Sequence, residues 1–103
     1  MIAREPRLSG PTLKVLHLYV TGPHRPLSGV EITKASGIVA GTLYPLLSRL
    51  QAAGWLESEW EDVDPKEVGR PRRRFYRITE VGQLRSRAAL SELQVQIAGE
   101  AVA

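Results

Sequence analysis

The sequence predicts a mainly α-helical protein with one β-hairpin, ordered as a winged helix-turn-helix. Three observations carry that prediction. A short helical stretch, a glycine stop at Gly37 and a longer helix with one apolar stripe, Leu43, Leu46, Leu47 and Leu50, follow one another directly. After Gly54 the apolar period drops from helical to two, in WLESEWE and again in RRRFYRI, on either side of a segment containing Pro65, Gly69 and Pro71. The second alternating run lies in GRPRRRFYRIT, which packs Arg70, Arg72, Arg73, Arg74 and Arg77 into eight positions of a chain whose formal net charge is only +3.

Taken in order, the elements justify themselves locally. PTLKVLHLYVT, from Pro11 to Thr21, reads as a first helix ended by the breakers GPHRP. Leu13, Leu16 and Val20 share one face, while Val15, Leu18 and Tyr19 sit largely on the other, so one face is expected on the core and the second on a partner. In LSGVEITKASG, Ser28 and Glu31 have capping-box spacing, and Leu27 is placed to staple onto Ile32. The third helix spans about Val39 to Ala53 and closes at Gly54. Pro45 lacks the N–H that would bond to Gly41, so it fits only near the helix start.

The two alternating runs form a hairpin. Leu56 opposite Ile78 on the buried face puts Glu57 opposite Arg77 and Glu61 opposite Arg73 on the exposed one. A last helix starts after Thr79, a good N-cap, and runs to about Ala98. Val81, Leu84, Ala88 and Val95 share one side of it, and Leu90, Leu93 and Ile97 another, which is more apolar surface than a small monomer covers. Residues 1–82 thus read as the winged unit and 83–103 as a dimerisation helix, with loose ends at 1–9 and 99–103.

Composition bounds the function. A chain of 103 residues, 43% hydrophobic and 24% charged, builds one domain with a modest core that dimerisation would help. The absence of Cys removes disulfides, thiolate zinc sites and a thiol nucleophile, and suits a cytoplasmic location. The longest uncharged run, ASGIVAGTLYPLLS, is fourteen residues broken by Gly and Pro, below the roughly 18 a membrane span needs. No cofactor is implied. GIVAG is not a phosphate loop, the serines lack a His and carboxylate pattern, and His17 and His24 lack metal-ligand neighbours, so an enzyme is not expected.

Clustered arginines repel one another unless something negative answers them. Arg73 and Arg77 have Glu61 and Glu57 across the hairpin, whereas Arg70 and Arg72, near the loop, have no evident partner and are expected to meet nucleic-acid phosphate. On the third helix the outward side holds Gly41, Pro45, Ser48, Arg49 and Ala52, flanked by Thr42 and Tyr44. Small and hydrogen-bonding residues of this kind permit close approach to a duplex. In a winged helix-turn-helix this helix enters the major groove and the wing reaches adjacent backbone.

The segments SGIVAGTLYPLLSRLQAAGWLESEWED and GRPRRRFYRITEVG resemble the PadR family of bacterial transcriptional regulators, marked by a G-T-L-Y-P-x-L-x-R-L helix and a wing that opens on G-R-P and closes on Y-x-[LI]-T. The match runs from about Leu13 to Gly82. It implies a dimeric winged-helix repressor that binds double-stranded DNA and responds to a small molecule or other signal. By the resemblance Thr42, Tyr44, Pro45 and Arg49 fall in the DNA-reading helix, and Gly69, Arg70, Pro71 and Arg72 in the wing. It also puts the homodimer interface on the first and last helices, where the second apolar faces hold Val15, Leu18, Tyr19, Leu90, Leu93 and Ile97. Val30 stands where an aromatic commonly follows the glycine, and the single C-terminal helix places the chain among short members.

Blander readings exist for several of these residues. The arginine run also fits a solvated, salt-bridged strand, Tyr76 reads as core, and Trp55 and Trp60 read as hairpin and core packing. Because fold does not fix function, the rival to a DNA-binding regulator is a winged helix used as a protein-interaction module.

Overall fold

A computed structural model describes residues 6–22 and 24–102, the last three by backbone alone. Helix α1 (Gly10–Thr21) is capped by Ser9, whose hydroxyl accepts from the Thr12 amide at 3.4 Å, and it ends at Gly22. Its buried row is Thr12, Val15, Leu16 and Tyr19, an i, i+3, i+4, i+7 pattern. That row cuts across the two faces expected from sequence. Val15 and Tyr19, expected at a subunit interface, lie in the chain's own core, and only Leu18 of that trio keeps partial exposure. Tyr19 is fixed there because its hydroxyl donates to the Tyr76 carbonyl at 2.7 Å.

Strand β1 (Leu27–Ser28) leads into α2 (Gly29–Ser36), and the capping box at its start is complete. The Glu31 amide bonds to Ser28 Oγ at 3.1 Å, and the Ser28 amide bonds back to the Glu31 carboxylate at 3.2 Å. Gly37 stops the helix with φ 73°, a conformation that L side chains adopt at a cost. Helix α3 (Ala40–Ala52) follows, with Leu43, Leu46, Leu47 and Leu50 at most 1% exposed. Pro45 is its sixth residue, so the proline sits inside the helix and leaves the Gly41 carbonyl without its intrahelical donor.

The sheet has three strands instead of the expected two. Strand β3 (Arg74–Ile78) lies between β1 and β2 (Leu56–Trp60), both antiparallel to it. The β2–β3 register pairs Leu56 with Ile78, Glu57 with Arg77 and Ser58 with Tyr76, as the alternation predicts. The added strand pairs Leu27 with Tyr76 and Ser28 with Phe75. Between β2 and β3 the wing loop contains α4 (Pro65–Val68), a single turn capped by Asp64 and stopped by Gly69 in the left-handed conformation.

Helix α5 (Glu80–Val102) runs beyond the end expected at Ala98, and the boundary placed at residue 82 falls within its first turn. Thr79 caps it, accepting from the Gly82 amide at 2.9 Å while its hydroxyl reaches the Gly54 carbonyl at 2.6 Å. Gly82 packs against the Trp55 carbonyl so closely that a Cβ would collide with it.

Helix α5 packs along α1, with Tyr19 near the end of α1 and Gln83 near the start of α5 lining one depression. The faces of α5 differ from expectation. Gly82 and Ser86 are buried and Leu90 and Leu93 half-buried, whereas Val81, Leu84, Val95 and Ile97 are exposed. From Gln94 to Gly99 every residue is exposed, because α5 outruns the shorter α1.

Candidate nucleic-acid interface

Burying the four leucines of α3 turns its other side fully outward. Gly41, Thr42, Tyr44, Pro45, Ser48, Arg49 and Ala52 are all exposed, and no acidic residue lies on the helix. Arg49 has no hydrogen-bond or ion-pair partner among the described residues. The N-terminus of α3 has no side-chain cap; the Thr42 amide bonds to the Val39 carbonyl at 3.0 Å, and the helix end carries its partial positive charge without an acidic neighbour in the first turn.

Tyr44 is placed by α2. Its ring lies over Gly29 so closely that a methyl group there would overlap the phenol. From this contact a groove of about 510 Å³ opens between the start of α2, Tyr44 and the wing, lined also by Trp60, Pro71, Arg72 and Arg74. A second depression of about 490 Å³ continues along α3 past Ser48, Gln51 and Ala52 to Arg74 and Tyr76. Tyr76 is core, as expected, and so is Trp55, but Trp60 is 61% exposed at the mouth of the groove.

The arginines divide differently from the sequence reading. Arg70, expected to be free, grips Glu61 with hydrogen bonds of 2.7 and 3.1 Å. This bond above all, with the Arg73 amide also donating, holds the Glu61 carboxyl below the usual carboxylate range. The Glu61 amide bonds to the Arg73 carbonyl at 2.8 Å, so the backbone register is the expected one. The carboxylate is taken by Arg70 because the α4 turn and Gly69 fold the chain back across the strand end. The Arg73 guanidinium has no hydrogen bond among the described residues. Arg72 is exposed and, among the described residues, tethered only through Nε to the Val63 carbonyl at 2.9 Å. Arg77 meets Glu57 at 3.4 Å, an exposed pair.

Strand alternation sorts these charges by face. Leu56, Ser58 and Trp60 lie on one side of β2, and Glu57 and Glu59 on the other, where Glu61 continues the alternation past the strand end. The Leu56 side is the one toward α3, since Ser58 Oγ donates to Gln51 Oε1 at 3.0 Å. The acidic side chains of β2 are therefore turned away from the outward face of α3. Sequence reasoning missed the side chains this brings together on the α3 side, Gln51, Ser58, Arg74 and Trp60. For the strand residues Ser58, Trp60 and Arg74 the signal available was the same period of two.

The expected interface residues on α5 are not gathered with this site. Leu90 and Leu93 lie half-buried on the side of α5 that carries the buried Ser86, and Ile97 is 57% exposed past the end of α1. Among the described residues no helix is long and apolar enough to cross a membrane, and no cluster of three or more His, Cys, Asp or Glu side chains forms.

The family model for the transcriptional regulator PadR-like family matches residues 18–88. Among solved structures, a PadR family transcriptional regulator from Eggerthella lenta is similar, with TM-score 0.72 and 28% identity over 87% of this chain and 77% of that one. A PadR family transcription regulator from Clostridium difficile gives TM-score 0.69 at 18% identity, over 92% of this chain and 100% of that one. Bacillus subtilis PadR, solved in complex with operator DNA, gives TM-score 0.62 at 20% identity, over 77% of this chain and 46% of that one. At 18% and 20% identity the likeness is one of fold. No curated protein matches the chain.

Proposed function

The chain belongs to the PadR-like family of transcriptional regulators, and from that premise we propose that it is a dimeric, sequence-specific DNA-binding repressor released by a small molecule or other signal. One observation carries the reading. The outward face of α3 is free of acid and fully exposed, and it borders a groove lined by wing arginines while the acids of β2 point the other way. The operator-bound state of Bacillus subtilis PadR supports double-stranded DNA as the partner.

In this reading Gly41, Thr42, Tyr44, Pro45, Ser48 and Arg49 approach base edges in the major groove. Gly41 and Ser48 allow close contact, Arg49 supplies a guanidinium, and Arg72 meets phosphate. Residues 1–82 bind DNA. Residues 83–103 dimerise, with the overhanging part of α5 and its exposed Val95 and Ile97 seated on a second copy. Such a chain works in the cytoplasm, where the DNA is. A small domain bound over a promoter acts by occupying it.

Selection of bound sequences from random duplex DNA tests the proposal. One preferred, two-fold related sequence is the expected result, because a symmetric dimer reads two half-sites. Absence of any duplex binding at modest salt would instead favour the protein-interaction module.

A further inference from the structure

We propose that Arg74 is a DNA-backbone contact and that Ser58, Gln51 and Trp60 are positioning residues that hold it ready; this rests on the DNA-binding reading above. Arg74 is the arginine of β3 on the side that faces α3, opposite Trp60 in the register. Its Nε and Nη2 donate to Ser58 Oγ at 2.9 and 2.7 Å. Ser58 spends its single proton on Gln51 Oε1 at 3.0 Å. A hydroxyl has one donor and two acceptor sites, so all three are used and the oxygen cannot rotate away. The Trp60 ring lies 5.3 Å from the guanidinium carbon, which adds cation–π attraction on one face of the fork.

This chain of contacts runs from the recognition helix to the wing and ends on a cation with donors to spare. Two of the five guanidinium N–H groups go to Ser58, and Arg74 bonds to no other acceptor among the described residues. No carboxylate of β2 can answer it, because Glu57 and Glu59 sit on the opposite face. An anion from outside the chain is the remaining partner. Arg74 lines both depressions beside α3. A DNA strand leaving the major groove held by α3 and passing to the wing would run along them. Fixing the side chain before binding removes part of the ordering cost that a flexible arginine would carry.

The experiment is a salt series of affinity for a mixed-sequence duplex, with the whole chain and the variants Arg74→Ala, Arg74→Lys and Ser58→Ala. Arg74→Ala should lower the slope of log affinity against log salt by about 1 per subunit, the mark of one lost phosphate contact. Arg74→Lys should restore the slope but not the affinity, since the charge returns without the fork. Ser58→Ala should keep the slope while affinity falls about two- to tenfold per subunit at every salt concentration, because the cation is present but no longer held. A wild-type slope for Arg74→Ala overturns the contact, and wild-type affinity for Ser58→Ala overturns the positioning role. If the wild-type chain itself binds no duplex, the DNA-binding reading falls first and takes this one with it.

Discussion

Arg70 and Glu61 form a two-pronged pair across the root of the wing, Nη1 to Oε1 at 2.7 Å and Nη2 to Oε2 at 3.1 Å. Nη1 also reaches the Pro71 carbonyl at 3.1 Å, and the Arg73 amide donates to Glu61 at 3.3 Å. A guanidinium fork matched to a carboxylate in this way fixes geometry as well as charge. The arginine of the G-R-P motif is a strut of the wing.

Arg70 and Arg72 should therefore fail differently. Arg72→Ala is expected to reduce the salt slope of duplex binding by about 1 per subunit, with the wing intact. Arg70→Ala should leave that slope near wild type and instead make the segment around α4 more open to limited proteolysis. Equal flattening of the slope by both would return Arg70 to the phosphate contacts.

The same pair sets an acid limit. Glu61 is held below its ordinary value of 4.5, first by the Arg70 hydrogen bond, and Glu31 likewise, first by Arg25. A depressed carboxyl contributes stability above its unfolded value and loses it as pH falls through the folded one. The melting temperature should drop as pH is lowered below about 4.5, and less steeply in Arg70→Ala. At the other end, burial above all pushes the Tyr19 phenol well above 10.0. Its contribution is present below that pH and lost above it, so Tyr19→Phe should flatten the alkaline limb of the same profile.

Gly29 lies outside α3, yet in the proposed reading Gly29→Ala should change DNA binding. The added methyl meets the Tyr44 ring, and Tyr44 is 44% exposed, so the ring swings outward and the fold survives. In a double-mutant cycle, Gly29→Ala should have little effect once Tyr44 is Ala, which gives a coupling of roughly 0.5 to 3 kcal/mol. Strictly additive effects would show that the two residues act separately.

Val95 and Ile97 are exposed in the single chain, at 69% and 57%. Replacing both by Glu should leave the monomer fold alone and give a monomer in sedimentation measurements, with duplex affinity much reduced. A dimer that persists in this double variant moves the interface off the overhang of α5.

Much of the site was legible because its signals are periodic. Four leucines at helical spacing define the buried side of α3, so the outward side follows by exclusion, and strict alternation gives the register of Leu56 with Ile78. What escaped was set by contacts distant in sequence or by small residues. Strand β1 is two residues long and carries no period. Most positions of α1 are apolar, so spacing alone could not rank Val15 and Tyr19 as core. On α5 the most deeply buried positions are Gly82 and Ser86, small residues that an apolar pattern does not flag, with Gly82 set by its close approach to the Trp55 carbonyl, while Val81, Leu84, Val95 and Ile97 point out. The pairing of Glu61 with Arg70 depends on the fold of the α4 turn, which reverses the chain between them.

The tie between Gly82 and the Trp55 carbonyl, with Thr79 bonded to Gly54, has a consequence for how far apart two bound copies can stand. It joins the start of α5 to the turn that ends α3, so α3 and the C-terminal helix form one lever. If two chains pair through α5 as proposed, the separation of their α3 helices is fixed by that lever and not by a linker. The operator's half-sites would then be held to one spacing, about one helical turn of 34 to 36 Å or a multiple of it, and inserting a few base pairs between them would abolish binding by the pair while each half-site stayed intact.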